Sequence, residues 1–328
     1  MDTTPSSVRA ATSAVGPATS AVRPAPSSVR SATPDASPRP PLTPERALVL
    51  GGGGSTGNAW LIGVVAGLYE AGLDVTQADL LVGTSAGATA AAQLTAADPP
   101  ALFAQIVDAQ VPQRSGAAGA ARGPVVDHLA RTREIIDASS DAADMRRRLG
   151  AAALDLEPDG SRSARWRAIV AARLPRQEWP ARRVILTAVD AVTGAPVVFD
   201  ATSGVDLADA VAASCSSGAA YRIGDGRFID GGYRRNENAD LAAGHARVLV
   251  LSPFGGRSRH PSAWGSDLAT QVEELRAQGS TVETLFPGAA AEHLFGVDAM
   301  DPTLRTPAAL AGYEQGLARA GALAGFWA

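Results

Sequence analysis

A serine between two glycines is the first pattern in this sequence that could do chemistry. Gly83, Ser85 and Gly87 form a G-x-S-x-G pattern that follows the apolar residues 80–82 and precedes an alanine-rich run. This layout predicts a strand, a tight turn at the serine and a helix over residues 86–97. The turn would expose the serine hydroxyl, because the glycines remove side chains that would clash, and the helix N-terminus would add free amides nearby. Ser85 is therefore a candidate nucleophile, although a chain with 34 glycines also produces such a pattern by chance.

A glycine-rich loop precedes the serine turn by one predicted helix. The apolar residues 46–50 predict a strand that leads into the loop, residues 51–57, and helical spacing of apolar residues predicts a helix over 58–71. A right-handed crossover makes this strand parallel and adjacent to the strand before Ser85. The loop amides then lie close to Ser85, where they could stabilise negative charge as an oxyanion hole.

The same loop has a competing interpretation as a dinucleotide site. Gly52, Gly54 and Gly57 satisfy the G-x-G-x-x-G pattern after a strand. That fingerprint also needs an acidic residue at the end of the next strand, to hold a ribose hydroxyl. Here the next strand ends in the serine turn, and the nearest acids, Asp74 and Asp79, come before it. An NAD- or FAD-binding oxidoreductase is therefore the less favoured alternative.

A carboxylate late in the chain is the third candidate feature. Residues 227–233 read Arg-Phe-Ile-Asp-Gly-Gly-Tyr, so Asp230 follows a predicted strand and precedes two glycines. Such a turn presents the carboxylate in an open backbone environment. Taken alone, the stretch is simply an Asp-Gly turn, and its meaning depends on the other two features.

Composition limits the remaining function classes. The chain has 328 residues, 46% of them hydrophobic, which is enough for one large domain or two small ones. The formal net charge of -4 gives no reason to expect a nucleic-acid partner. Four scattered histidines, without an H-E-x-x-H or Cys/His cluster, predict no metal site. The single cysteine, Cys215, excludes an internal disulfide and is expected to be a buried apolar residue rather than a nucleophile.

Residues 1–44 differ in composition from the rest of the chain. They hold nine of the 22 prolines and no aromatic residue. Such a segment cannot bury enough apolar surface to offset its chain entropy, so we expect a disordered tail followed by one domain over residues 45–328. No apolar run resembles a secretory signal or reaches the roughly 18 residues of a membrane span. We therefore expect a cytoplasmic protein.

The remaining segments are expected to build the scaffold around these features. Residues 98–180 are mostly helical in pattern, and the glycine- and alanine-rich residues 113–123 are either a surface loop or a mobile cover over the site. Later segments predict a hairpin, a buried strand and two covering helices. The hairpin covers residues 183–189 and 196–199, and the buried strand covers residues 247–252. The two helices cover residues 268–285 and 307–326.

Taken together, the three features resemble the patatin-like phospholipase family. The glycine loop, the Gly-Thr-Ser-Ala-Gly turn and the late Asp-Gly-Gly turn occur in the family's order and spacing, and the similarity extends over residues 46–252. The resemblance implies a three-layer α/β/α sandwich with a mainly parallel central sheet. It also implies a lipid acyl hydrolase without a cofactor, in which Ser85 is the nucleophile and Asp230 its base. By the same resemblance, the backbone of Gly52, Gly53 and Gly54 forms the oxyanion hole. The expected partner is a lipid or other acyl-ester substrate, with transient contact to a membrane surface.

Two departures from the family pattern concern the substrate pocket. The family often has arginine or lysine where the glycine loop here has Thr56, which removes a cation that could bind an anionic head group or organise the loop. Family members also tend to carry prolines where residues 213–221 have none. One wall of the acyl pocket is therefore expected to differ.

Two further alternatives share the serine turn. A Ser-Asp-His triad would need a histidine after the acid, which leaves His245, His260 and His293, none of them in a site-like context. A catalytically inactive member of the family would use the same fold for binding or as a scaffold. In the dyad, an aspartate with an ordinary pKa of about 4 is a weak base, so the oxyanion hole has to supply much of the catalysis. An ester is then a better substrate than an amide.

Overall fold

One mixed sheet with helices on both faces forms the body of the protein. The computed structural model describes residues 46–109, 123–157 and 162–328; the expected tail, residues 1–44, and nearly all of segment 113–123 lie outside these ranges. The strands of the described part are β1 (Arg46–Leu50), β2 (Leu80–Gly83), β3 (Arg183–Asp190), β4 (Pro196–Phe199), β5 (Tyr221–Ile223), β6 (Gly226–Asp230), β7 (Arg247–Leu251) and β8 (Thr281–Leu285). Its α-helices are α1 (Gly54–Glu70), α2 (Ala86–Leu94), α3 (Pro99–Val107), α4 (Gly123–Asp137), α5 (Ala142–Leu156), α6 (Ser163–Ala171), α7 (Leu207–Ser214), α8 (Leu268–Ala277) and α9 (Arg305–Trp327).

The central strands are short and apolar because both of their faces are buried. β1 lies between β2 and β7, β8 follows β7, and β3 follows β2, all in parallel. In β1 the side chains from Ala47 to Leu50 have no exposed surface, as expected for a parallel sheet covered on both sides. Because the glycine loop and the serine turn follow β1 and β2, both lie at the C-terminal edge of the sheet, as predicted.

Asp230, the third candidate feature, reaches the same C-terminal end of the sheet because β6 pairs with β3. Ala188 pairs with β4 on one side and with Asp230 of β6 on the other, so β4 and β6 lie on opposite edges of β3. Leu186 likewise pairs with β4 and with Gly83 of β2. β2 and β6 therefore share one edge of β3, and their C-terminal ends point toward each other because β6 is antiparallel. The predicted hairpin of β3 and β4 is confirmed.

Alternation of side chains along the strands divides the core into two layers. Leu48 and Leu50 face helices α1, α2, α7 and α9, whereas Ala47 and Val49 face α8 and the short helix Ala239–Ala242. Near β3 and β6, helices α4 and α5 form a further cluster around Met145. The predicted α/β/α sandwich with a mainly parallel sheet is thereby confirmed.

Helices α1 and α9 are in backbone contact where they cross. A Cβ on Gly63 would lie 2.1 Å from Ala309 O, and one on Gly316 would lie 2.3 Å from Val64 O. Only glycine allows such an approach at these positions. At 23 residues, α9 is longer than any other helix described, yet within the described ranges no helix is both long and apolar enough to cross a membrane.

One predicted helix was wrong over part of its length. The sequence predicts a continuous helix over residues 268–285, but α8 ends at Ala277 and β8 begins at Thr281. Gly279 has a φ of +94°, which ends the helix. The following residues bury Val282 and Leu285 by pairing with β7 instead.

Candidate active site

Ser85 lies at a sharp turn between β2 and α2. Its backbone angles, φ 53° and ψ −114°, lie in a region that residues other than glycine rarely adopt. Neighbouring groups hold this strain: the Ser85 N–H donates to Ser214 Oγ at 2.9 Å, and the Gly87 N–H donates to Thr84 O at 2.8 Å. The predicted strand, turn and helix are confirmed, although α2 ends at Leu94 rather than at residue 97.

The two glycines of the serine turn are required by close contacts. A Cβ on Gly87 would lie 1.8 Å from Leu50 O, and one on Gly83 would lie 2.7 Å from Ala88 Cα. Both distances are far below van der Waals contact, and both involve backbone atoms of a packed core that cannot easily move. The G-x-S-x-G spacing therefore reflects two close contacts of this turn, that of Gly87 with the end of β1 and that of Gly83 with the first turn of α2.

Asp230 lies at the end of β6, which runs antiparallel to β2, the strand that leads to Ser85. Its side chain is buried, with 6% exposure, and its carboxylate accepts a hydrogen bond from the Gly232 N–H at 2.8 Å. The Ser85 hydroxyl lies close enough to the carboxylate to lower its pKa. Burial raises the pKa of Asp230 to about 6, and the Gly232 N–H and the Ser85 hydroxyl counteract part of that rise. Asp230 is therefore a stronger base than the ordinary aspartate assumed from sequence, and it is still ionised at neutral pH.

Three residues at the end of α7 hold both Ser85 and Asp230, and sequence analysis did not find this role. Ser214 Oγ accepts from the Ser85 N–H at 2.9 Å, Cys215 Sγ donates to Ser85 O at 3.2 Å, and Ser216 O accepts from the Asp230 N–H at 2.9 Å. We call residues 214–216 the α7 clamp. The available signal was a run of small polar residues directly after an alanine-rich helix. Burial raises the pKa of the Cys215 thiol to about 12, so the thiol stays protonated and does not act as a nucleophile.

Asn238 ties the turn after Asp230 to the turn before Ser85. Its Nδ2 lies 3.0 Å from Thr84 Oγ1 and 3.2 Å from Gly231 O, to which it donates, and Thr84 Oγ1 lies 2.9 Å from Thr187 Oγ1 of β3. Asn238 itself is buried and has a φ of +53°, a conformation that asparagine tolerates better than most residues. This buried polar network fixes the two turns relative to β3.

The glycine loop leaves two of its three predicted oxyanion donors available. The Gly51 N–H donates to Leu251 O and the Gly52 N–H to Asn236 O, both at 3.0 Å. Within the described ranges, the N–H groups of Gly53 and Gly54 have no hydrogen-bond acceptor. Gly53 is the N-cap of α1 and Gly54 its first residue, where unpaired amides and the helix dipole favour negative charge. The Gly52 N–H, in contrast, already donates to Asn236 O, so it is not available to an oxyanion.

Thr56 lies inside the fold, and a cation reaches the glycine loop from elsewhere in the chain. Thr56 is completely buried, and its N–H donates to Ala299 O at 3.0 Å. The guanidinium of Arg305, at the start of α9, donates to Ser55 O at 2.8 Å and to Asn58 Oδ1 at 3.1 Å. A cation therefore organises the start of α1, but it is supplied by an element outside the segment that carries the family resemblance.

Of the three histidines that a triad would need, two have other partners and the third is exposed. The ring of His245 is buried, with Nδ1 2.8 Å from Ala242 O, and Nδ1 of His260 lies 2.9 Å from Ser266 Oγ. His293 is exposed. In the part of the chain that the structure describes, which includes all four histidines, none of them hydrogen-bonds to Asp230.

The described residues offer little to a dinucleotide or a metal ion. Asp79 accepts from the Arg46 N–H at 2.8 Å, and Asp74 caps a short helix by accepting from the Thr76 N–H at 2.9 Å. Both acids precede β2, so they lie away from its C-terminal end, where the ribose of a dinucleotide would bind. Across the described ranges, no three His, Cys, Asp or Glu side chains lie together as metal ligands would.

Three comparisons with known proteins were made, and the match to a family model agrees with the resemblance described above. Among solved structures, VipD from Legionella pneumophila matches at 13% identity and a TM-score of 0.41, over 85% of this chain and 67% of VipD. The type III effector ExoU matches at 17% identity and a TM-score of 0.36, over 86% of this chain and 54% of ExoU, so the chain spans about half of that protein. A comparison with curated protein sequences gives no match. The family model described as patatin-like phospholipase matches residues 48–243. Because this match covers more than half of the chain, the protein belongs to the patatin-like phospholipase family.

Proposed function

We propose that the protein hydrolyses carboxylic esters of lipids, with Ser85 as the nucleophile and Asp230 as its base. The observation that carries the proposal is the approach of the Ser85 hydroxyl to the buried carboxylate of Asp230, close enough for the hydroxyl to lower the pKa of that carboxyl group. Membership of the patatin-like phospholipase family supports a lipid ester as the substrate. The strained backbone of Ser85 supports the nucleophilic role, because such strain is typical of functional turns.

In the first half of the reaction, Ser85 Oγ forms a bond to the ester carbonyl carbon while its proton passes to the Asp230 carboxylate. Asp230 then donates that proton to the departing alkoxide, so the alcohol leaves as a neutral molecule. A pKa of about 6 suits both steps, because the group is ionised at neutral pH and yet accepts a proton more readily than an ordinary aspartate. An acyl group remains on Ser85.

In the second half, water attacks the acyl-enzyme by the same route in reverse. Asp230 takes a proton from the water as its oxygen bonds to the acyl carbon, and the Ser85 oxygen leaves and recovers a proton. Both tetrahedral intermediates carry a negative oxygen, which the N–H groups of Gly53 and Gly54 would hold. One such donor is typically worth about 3 kcal/mol of the barrier.

We also infer that the substrate is reached at a membrane or micelle surface. Met300 is 59% exposed, and its Sδ lies 3.0 Å from the position that a Cβ on Gly54 would occupy. Val297, in the same segment, is 70% exposed. Exposed apolar side chains in this segment support transient contact with lipid, because their transfer from water into an apolar environment is favourable.

A fluorophosphonate probe tests the proposed function directly. The probe should form an adduct on Ser85 that mass spectrometry can map, and Ser85→Ala should lose both the adduct and the cleavage of short p-nitrophenyl esters. Ser280→Ala is the control, because Ser280 is a buried serine that donates to His245 O at the opposite end of the sheet. A folded wild-type protein with neither adduct nor esterase activity would instead favour a binding or scaffold role.

A further inference from the structure

Glu237 is a buried carboxyl group that the proposed reaction does not use. Its side chain is 1% exposed, and within the described part of the chain no arginine pairs with it. Instead, its Oε1 accepts from Ser252 Oγ at 2.7 Å and from Asn236 Nδ2 at 2.8 Å, and Gln271 Nε2 lies 3.5 Å from Oε2. Burial raises the pKa of Glu237. Burying a carboxyl group without a cationic partner costs free energy, which suggests a functional role. One of its partners, Asn236, also bonds to the glycine loop.

Asn236 makes two hydrogen bonds to Gly52 and a third to Glu237, so it connects the two residues. The main-chain oxygen of Asn236 accepts from the Gly52 N–H at 3.0 Å, and its Nδ2 donates to Gly52 O at 3.3 Å. The second hydrogen of the same Nδ2 goes to Glu237 Oε1. Both polar groups of Gly52 are therefore held by one residue, and that residue's amide is held by Glu237.

The geometry of the peptide bond carries this restraint to the oxyanion site. Gly52 C=O and Gly53 N–H belong to one planar, trans peptide unit, so they point in opposite directions. Holding Gly52 O against Asn236 turns the Gly53 N–H to the other side of the loop. Because this peptide joins two glycines, no Cβ opposes its rotation, and a flipped peptide would present a carbonyl oxygen in place of the N–H.

The carboxylate of Glu237 determines which way the Asn236 amide faces. With the amide reversed, Asn236 Oδ1 would lie against both Gly52 O and Glu237 Oε1, and three acceptors would meet without a hydrogen. The observed orientation satisfies all three groups. We propose that Glu237 and Asn236 are positioning residues that hold the Gly52–Gly53 peptide with its N–H turned to the oxyanion. The proposal rests on the proposed function, because it assigns the Gly53 N–H to that reaction.

Steady-state kinetics on p-nitrophenyl esters, with wild type, Asn236→Ala, Glu237→Gln and the double variant, test this role. Asn236→Ala should lower kcat by roughly 30- to 100-fold and leave KM within about threefold, because an oxyanion donor acts mainly in the transition state. Glu237→Gln should lower kcat by about tenfold, because a glutamine no longer dictates the Asn236 orientation. Since both residues act through one peptide, the double variant should be about as slow as Asn236→Ala alone.

The rate of fluorophosphonate labelling should fall in parallel with kcat, because the phosphonyl oxygen uses the same donor. Ser280→Ala is the control, since it loses a buried hydrogen bond far from the site and should lower the melting temperature without changing kcat. If Asn236→Ala does not fold, Glu237→Gln decides the question by the same criteria.

Two results would overturn the positioning role. One is a folded Asn236→Ala whose kcat is within threefold of wild type, and the other is a double variant in which the two fold-changes multiply. Ser85→Ala is assayed in parallel to separate this inference from the proposed function. If Ser85→Ala retains wild-type activity, the proposed function fails, and the positioning role fails with it.

Discussion

Gly83 and Asp230 approach each other along one edge of β3, paired with Leu186 and Ala188 respectively. β2 reaches this edge in the parallel sense and β6 in the antiparallel sense, so their C-terminal ends meet. Ser85 and Asp230 are thus presented by the ends of two strands of one rigid sheet. This placement limits relative movement of the two groups, which a short proton transfer requires.

The first prediction separates the Ser-Asp dyad from a Ser-Asp-His triad. Asp230→Asn should lower kcat/KM by roughly a hundredfold or more, on the scale usual for a lost general base. Replacing His245, His260 or His293 by alanine should leave kcat/KM within about tenfold, because none of them hydrogen-bonds to Asp230. Ester hydrolysis by each purified variant measures this. A histidine variant that is folded by circular dichroism and as inactive as Ser85→Ala would rule out the dyad.

The second prediction concerns the pH dependence of catalysis. Asp230 accepts the Ser85 proton only when ionised, and burial raises its pKa to about 6. We therefore expect kcat/KM to rise with pH through a midpoint near 6 and to level off above it. Initial rates between pH 4.5 and 8.5, with the fold checked at each pH, locate the midpoint. A kcat/KM that is already constant with pH at pH 4.5 would mean that the pKa of Asp230 is not raised.

The third prediction is that the charged form of Asp230 destabilises the fold. Its pKa in the folded protein is about 6, above the value of about 4 in an unfolded chain, so the folded state binds the proton more tightly. The free energy of unfolding therefore falls as pH rises from about 4 to 6 and stays lower above that range. Asp230→Asn removes the charge and should raise the free energy of unfolding at pH 8 by roughly 1 to 3 kcal/mol. Urea unfolding at pH 4.5 and pH 8 measures the difference, which should be much smaller at the lower pH.

The fourth prediction tests the α7 clamp. Ser214→Ala removes the acceptor for the Ser85 N–H and leaves a strained turn with an unpaired amide. A loss of about 1.4 kcal/mol in transition-state positioning would lower kcat by roughly tenfold. Ser280→Ala removes a buried serine hydroxyl at the other end of the sheet and serves as the comparison. Equal kcat values for the two variants would mean that Ser214 supports the fold only.

The fifth prediction compares two glycines of α9. A Cβ on Gly316 would lie 2.3 Å from Val64 O of α1, whereas nothing lies within 4 Å of a Cβ on Gly321. Gly316→Ala should therefore destabilise the protein by roughly 2 kcal/mol or more, through overpacking. Gly321→Ala should stabilise it by roughly 0.5 to 1 kcal/mol, because alanine is the better helix former. Thermal unfolding of the two variants shows whether each substitution lowers or raises the stability. A stable Gly316→Ala would mean that α1 and α9 can separate.

The error over residues 268–285 shows where local pattern stops being informative. Val282 and Leu285 continue an apolar pattern that is compatible with a helix, and only the open edge of β7 makes a strand the better way to bury them. Periodicity records which side chains need burial, not which neighbour will cover them. The same limit hid the α7 clamp, since Ser214 and Ser216 acquire a role only from the strands that pack beside them.

The sequence by itself determined the features that depend on neighbouring residues. The strand before the glycine loop, the strained turn at Ser85 and the Asp-Gly-Gly turn are all set by short-range sterics and apolar spacing, so they could be recognised in order along the chain. Tertiary structure alone decided how these features act on one another. It joined Asp230 to Ser85 along β3, raised the pKa of Asp230 through burial, and committed the Gly52 N–H to Asn236 while Gly53 and Gly54 stayed available. Burial and hydrogen-bond partners are properties of the packed chain, because they depend on residues that are distant in sequence and become neighbours only after folding.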